Sequence, residues 1–458
     1  MNLLKYIKIN NNYIIFFFFT SFIFLSSIKF EYFQFRYLIL LLLFPCVVFF
    51  FKDLKNRDFK IIKYLLFFLL FFSIHLLINF RIDNEKISLY NIFSLFYLLA
   101  ILTIAYYFVN IFNKNIVKII NIFIFIFFFS TFMSFLNFQL DNPYFCGGIP
   151  DIFNFLSTDL ESLLRPHYHT KISFREYIFS ENSHLGMIAP SVIAFMIYYM
   201  NEKNFNFIKK IPFFIFFVIC FIKSSTTLLF CTSLSLLIIL FFNNKKLSKK
   251  IKFIFISITL IFTSILLLSD ECKSRFVTIN NDALTEKKII LNIDKSVTSN
   301  IKTVNFQKSK NITGHRASLK ENVQESLTKV VQHHAFSILK KSIQEKPFGW
   351  GLNRYDKAFE YYNYKHEPKN KNLKVLNSKD GTNNFIKIFV EFGIFGIFVY
   401  LLIFLFLIEK NISIELKLFY LPLLITQSIR GAGYFNGGFI LIAFFMLFTY
   451  INFNKKLK

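Results

Sequence analysis

Arg175, Glu181 and His184 fall within F-R-E-Y-I-F-S-E-N-S-H-L-G (Phe174 to Gly186), directly before a long apolar run. A guanidinium is planar and permanently charged, so it can bond two oxygens of one phosphate, as in a diphosphate. A nearby carboxylate can take or give a proton. The same residue types recur at the ends of other apolar runs. Lys223 opens K-S-S-T-T, Arg316 begins an amphipathic stretch, Arg354 closes P-F-G-W-G-L-N-R, and Arg430 opens R-G-A-G-Y-F-N-G-G. Brought together, Arg175, Lys223, Arg316, Arg354 and Arg430 would form an anion site, with Glu181 or Glu391 as the carboxylate. Glu391 lies in an otherwise apolar run, where a charge is costly. It has a second reading, an ion pair with Lys387 one helical turn earlier.

Other spacings carry less. The G-W-G of Gly349 to Gly351 follows a helical pattern and lacks the preceding strand and further glycines of a nucleotide loop, so it reads as a turn that returns the chain. His333 and His334 have no third ligand at useful spacing and read as a polar helix face. Cys46, Cys220 and Cys231 sit in apolar runs as small buried hydrophobes, whereas Cys146 and Cys272 fall in polar stretches. No C-x-x-C pair points to a metal or redox site.

The elements that must position these residues are membrane helices. The chain has 458 residues, 55% of them hydrophobic, with mean hydropathy +0.49. Runs such as 13–28 and 37–51 hold no charge until their ends, and lipid offers no partners to free backbone groups. Twelve spans are expected, near 13–28, 37–51, 64–80, 87–112, 116–138, 183–200, 211–222, 226–242, 251–268, 384–408, 414–429 and 434–452. The first reads as a retained helix, since no small-residue cleavage site follows it. The 69 Phe, alongside abundant Lys, Asn and Ile, fit a biased nucleotide composition better than an aromatic binding stripe.

A net charge of +26 would suit nucleic acid, but the basic residues sit in short links between spans. With the N-terminus inside, the inner links and termini hold 22 Lys and Arg against six in the short outer links. That bias puts both termini in the cytoplasm and two long segments, 139–182 and 270–383, outside. The fold class expected is therefore all-α: a polytopic bundle of about twelve transmembrane helices with a large, partly helical outer loop. Its parts are a bundle over 1–269, the loop over 270–383 and C-terminal spans over 384–458. Within the loop, the part before Gly314 is polar and aperiodic. From Arg316 apolar residues recur at Leu319, Val323, Leu327, Val330, Phe336, Leu339 and Ile343, an amphipathic helix ended by Pro347. Such a helix lies against the membrane or caps a cavity.

The order of spans, the late outer loop, P-F-G-W-G-L-N-R-Y (Pro347 to Tyr355) and N-N-F-I-K-I-F-V-E-F-G-I-F-G (Asn383 to Gly396) together resemble the O-antigen polymerase and O-antigen ligase superfamily. The similarity is strongest over about 330–410 and weaker over 175–200 and 223–227. Arg175 and Gly186 also keep the spacing Arg, ten residues, Gly known in the polymerases. The resemblance implies a metal-independent glycosyltransferase without cofactor, in the inner membrane of a bacterium, with the large loop in the periplasm. It would polymerise repeat units carried on undecaprenyl diphosphate into O-antigen, capsule or exopolysaccharide. Arg175, Arg316, Arg354, Arg430, Lys223, Asn383 and Asn384 would contact substrate, and Glu391 or Glu181 would serve the acceptor hydroxyl. The partners implied are the lipid-linked glycan, the bilayer, a chain-length regulator and a flippase, and no nucleic acid. Many members carry His before the Asn that opens the span after the loop, where this chain has Asn383 before Asn384. Two alternatives stand beside the polymerase: a ligase that moves finished polymer onto lipid A–core, and a transporter of lipid-linked glycans. No two-halved repeat of the kind common in transporters is visible.

Overall fold

A computed structural model describes residues 3–25, 29–30, 33–83, 89–136, 182–203, 205–222, 226–268, 327–366, 378–431 and 433–455. These residues are helical apart from a two-residue antiparallel ladder, β1 (Lys29–Phe30) with β2 (Phe33–Gln34). In chain order the helices are α1 (Leu3–Phe24), a 3-10 turn over Phe35–Leu42 leading into α2 (Leu43–Lys55), α3 (Lys60–Asp83), α4 (Leu89–Lys114) and α5 (Ile116–Leu136). Then come α6 (Asn182–Glu202), α7 (Phe207–Ile222), α8 (Thr226–Asn243), α9 (Lys249–Leu268), α10 (Leu327–Glu345) and α11 (Tyr355–His366). The last four are α12 (Asn384–Phe392), α13 (Ile397–Ile408), α14 (Ile414–Ile429) and α15 (Phe439–Lys455).

Over their described residues the twelve apolar segments are wholly or largely helical, but they are not equivalent. Among the described residues, six stretches are long and apolar enough to cross a membrane: Arg36–Lys55, Lys60–Ile78, Asn91–Lys114, Thr227–Lys246, Lys249–Leu267 and Asn384–Ile408. Shorter apolar helices lie at Tyr13–Phe24, Ile116–Phe129, Lys210–Phe221 and Phe439–Phe453. The remaining two, α6 and α14, pack against each other along the bundle interior, joined where Ser191 Oγ donates to Phe419 O at 2.8 Å. Nearly all of α14 is buried, so it needs no lipid-facing surface and can carry Lys417, Thr426, Gln427 and Ser428 inside the protein.

The phenylalanines divide by burial. Phe19 packs edge-on against Phe108, Phe112 and Phe445 with centroids 5.3 to 5.9 Å apart, while Phe44, Phe67, Phe93 and Phe253 face outward. Such edge contacts add about 0.5–1.5 kcal/mol each beyond area burial. Cys46, Cys220 and Cys231 are buried thiols outside any disulfide, as small hydrophobes in apolar runs should be. Cys146 and Cys272 lie outside the described residues.

At one end of the bundle, Lys417 Nζ donates to Leu407 O (2.6 Å) and Asn243 Oδ1 (2.9 Å), and Lys246 Nζ bonds Lys410 O and Ile412 O. These lysines satisfy carbonyls freed at a helix C-terminus. The opposite end carries α10, α11 and the turn between them. That turn is the return predicted for G-W-G.

Helix α10 differs in detail from the pattern read off the sequence. Its buried face is Val331, His334, Ala335, Ile338, Leu339 and Ser342, set against α11 and α12. Of Phe336, Leu339 and Ile343, only Leu339 joins the core; Phe336 is 52% and Ile343 46% exposed. At 100° per residue those two form an apolar edge beside the buried face, and Lys340, His333 and Gln344 form the polar edge beyond it. His334 is not on the polar face. It is buried edge-on against the Phe359 ring at 5.3 Å, because its position faces α11.

Candidate functional site

The segment Lys346–Tyr355 forms a strap, and the sequence explains its path. Pro347 cannot continue α10, and Gly349 and Gly351 adopt φ of +83° and +105°, open to glycine. A Cβ on Gly349 would strike the backbone at Glu391 and Gly393, and one on Gly393 (φ +55°) would strike that of Pro347 and Phe348. The two glycines let strap and helix touch main chain to main chain. Trp350 N–H donates to Val390 O (2.9 Å), Gly351 N–H to Glu391 O (2.8 Å) and Ile394 N–H to Pro347 O (2.9 Å).

The strap is also tied to the bundle. His75 Nε2 meets Phe348 O at 2.8 Å, Asn91 Nδ2 donates to Leu352 O at 2.9 Å, and Asn353 Nδ2 donates to Ser94 Oγ at 3.0 Å. These three polar residues of α3 and α4 interrupt otherwise apolar helices where the strap crosses them. Lys346 lies over the Trp350 ring, 3.5 Å from its centroid.

Glu391 is the hub. Its side chain is fully buried, and it accepts from Asn353 N–H (Oε2, 2.7 Å), Tyr355 N–H (Oε1, 3.1 Å) and the Tyr434 hydroxyl, with Lys387 Nζ 3.6 Å from Oε1. The Lys387 pairing foreseen at i,i+4 is therefore present. Ringed by four donors and closed to solvent, this carboxylate clamps the strap and α12 together, and leaves no face to an acceptor hydroxyl. Burial raises the pKa of the Tyr355 phenol, and the Glu391 and Asp380 carboxylates push it the same way.

Beside the strap lies an open cavity of ≈ 970 Å³. One wall is apolar: Leu40 from the 3-10 turn, Leu43 from the start of α2, and Phe93, Phe96, Tyr97 and Ala100 from α4. Phe93 and Phe96 are 69% and 64% exposed and belong to a stretch able to cross a membrane. The other wall is polar and charged: Arg36, Asn353, Asp356, Lys379, Asp380, Lys387 and Asn436. Arg36 Nη1 donates to Asn436 Oδ1 (2.9 Å) and Nη2 to the Tyr37 hydroxyl (3.0 Å), its carbon lies 5.0 Å from the Tyr37 ring centroid, and its buried Nε has no hydrogen-bond partner. All these partners are neutral, so among the described residues the guanidinium has no counter-charge. Lys387 also donates to Lys379 O at 2.6 Å and reaches Asn353 Oδ1 at 3.5 Å.

The residues singled out in the sequence separate into three groups. Arg175, Glu181, Lys223 and Arg316 lie outside the described residues. Asn383, Asn384, Glu391 and Arg354 gather around the strap and α12. Asn383 caps α12, accepting from Ile386 N–H at 2.7 Å, and Arg354 is buried where the strap enters α11. Asn384 is fully buried against Gly431, and among the described residues its amide has no hydrogen-bond partner. Arg430 ends α14, its N–H bonded to Thr426 O, and neither it nor Arg354 lines the cavity.

Arg36, Asp356, Asp380 and Asn436 were missed as site residues. For Arg36 a signal existed: it is the lone cation directly before a chargeless apolar run. Among the described residues, no three of His, Cys, Asp and Glu are grouped to hold a metal ion.

Comparison of the chain with protein-family models, with curated proteins and with solved structures finds no match.

Proposed function

We propose that this protein is a membrane glycosyltransferase that polymerises oligosaccharide repeat units carried on undecaprenyl diphosphate, for a bacterial surface polysaccharide. The observation that carries this reading is Arg36. An unneutralised guanidinium at the polar end of a cavity whose other wall is apolar and lipid-facing suits a ligand with an anionic head and a hydrocarbon tail. A cation without a counter-charge beside lipid is costly, and a diphosphate would supply that charge. The polyprenyl chain would lie along Leu40, Leu43, Phe93 and Phe96, and the glycan would extend past Asn353 and Asn436. The resemblance around the strap and α12, and the positive-inside bias that puts this end of the bundle in the periplasm, agree with it. The resemblance gives Arg175, too, a role at the diphosphate.

Deletion of the gene followed by glycan gel analysis tests the proposal. Single-repeat products are expected. Polymer that accumulates on the carrier lipid would instead indicate a ligase, and repeat units trapped at the cytoplasmic face a transporter. Polymer of normal length on its normal acceptor would refute the proposal. Arg36→Ala in purified protein is expected to weaken binding of the lipid-linked unit by about tenfold or more, the scale of one charge-assisted contact.

A further inference from the structure

Glycosyl transfer needs a group to take the acceptor proton, and three described carboxylates lie near the cavity. Glu391 is sealed and holds the strap. Asp356 lines the cavity, but its Oδ1 already accepts the Lys357 N–H at 2.9 Å in the first turn of α11. Asp380 differs from both. It closes the turn at 378–380, ahead of Gly381 and Thr382, which adopt φ of +66° and +63° and swing the chain into the Asn383 cap. It is half-buried and lines the cavity, and among the described residues its carboxylate accepts no hydrogen bond and makes no ion pair. A Cβ placed on Gly433 would lie 3.3 Å from Asp380 Oδ1 and 3.5 Å from Lys387 Nζ, so carboxylate and ammonium border the same glycine on the cavity wall. Gly433 has φ +87°, a conformation that keeps the position free of a side chain.

We infer that Asp380 is the proton acceptor for the incoming sugar hydroxyl, in a site whose cationic groups include Arg36 and Lys387. The inference rests on the polymerase reading and names the base within it. The acceptor hydroxyl oxygen forms a bond to the anomeric carbon of the lipid-linked glycan, and its proton passes to Asp380. The bond from that carbon to the diphosphate oxygen breaks, and its electron pair leaves with the polyprenyl diphosphate, whose added charge meets Arg36 and Lys387. Asp380 then returns its proton to water. No metal, oxidant or further reactant is needed for the balance.

The test uses the full-length protein in nanodiscs with lipid-linked repeat units isolated from the deletion strain. Asp380→Asn is expected to slow polymerisation by about 10²-fold or more, the usual range for loss of a general base, while binding of the lipid-linked unit and thermal stability stay near those of the wild type. Asp380→Glu should recover part of the rate. An Asp380→Asn protein that polymerises at the wild-type rate overturns the inference. So does one that loses rate, binding and stability together, since that marks a structural role. Wild-type protein that makes no polymer overturns the polymerase reading and this role with it, whereas active wild type beside active Asp380→Asn overturns the role alone.

Discussion

Replacing Glu391 by Gln tests whether its carboxylate clamps the strap. The substitution keeps the volume of a fully buried side chain but leaves one oxygen where Asn353 N–H, Tyr355 N–H and the Tyr434 hydroxyl now share two. The new NH₂ group must face one of those donors, and Lys387 loses its counter-charge 3.6 Å away. Breaking a buried, hydrogen-bonded ion pair from one side costs roughly 3–5 kcal/mol. The loss should fall on local opening of the strap, because the carboxylate touches only the strap, α12 and the turn that holds Tyr434. At ~1.4 kcal/mol per tenfold, amides of Trp350, Gly351, Asn353 and Tyr355 should exchange from about 10²-fold to several thousandfold faster. Hydrogen exchange with mass spectrometry, on peptides covering 346–358 in detergent or nanodiscs, reads this directly. Peptides from α6 and α14 serve as the internal reference. Lys387→Met, which leaves all three hydrogen-bond donors in place, should shift exchange less than Glu391→Gln. Unchanged exchange in the strap of Glu391→Gln would refute the clamp.

Gly349→Ala and Gly393→Ala each drive a Cβ into the facing backbone at a positive φ, so both should sharply reduce the yield of monodisperse protein in size-exclusion chromatography, while Gly396→Ala is tolerated better because its nearest neighbour is the Ile388 side chain, 3.0 Å away. Asn383→Ala removes the cap of α12 and should cost about 1 kcal/mol, with Asn383→Asp or Asn383→Ser retaining most of it in thermal unfolding. Spin labels at Phe336 and Ile343 should be relaxed mainly by oxygen, as expected for an edge dipping into the bilayer surface, and a label at His333 mainly by a water-soluble nickel complex; nickel-accessible labels at all three positions would place α10 clear of the membrane.

What the sequence disclosed followed range. Helices came from runs of apolar residues within one segment, and the strap from Pro347, Gly349 and Gly351, whose backbone restrictions act locally. The Lys387–Glu391 pair was readable for the same reason, being one turn apart. Burial by a remote neighbour was not. Phe336 and Ile343 belong to the same periodic series as Leu339, and only the position of α11 and α12 decides which are covered. His334 looked polar until Phe359 was placed against it. Arg36 reads as a link charge because its partner Asn436 lies 400 positions away, and Asp380 sits in a polar turn with no local signal, its place on the cavity wall set by the distant Gly433.

The Arg36–Asn436 bond has a consequence for how the protein is made. A chain leaves the ribosome at about 5–20 residues per second, so roughly 20–80 s separate the appearance of these two residues. Throughout that interval Arg36 is already part of the chain, a guanidinium whose eventual partner has not been synthesised. Water and lipid headgroups must hold it meanwhile, which favours a shallow early position for the segment around Arg36. Only when the turn before α15 arrives can the cavity take its final shape. Translation that stops short of Asn436 would therefore leave a nearly complete set of helices and an unfinished binding chamber.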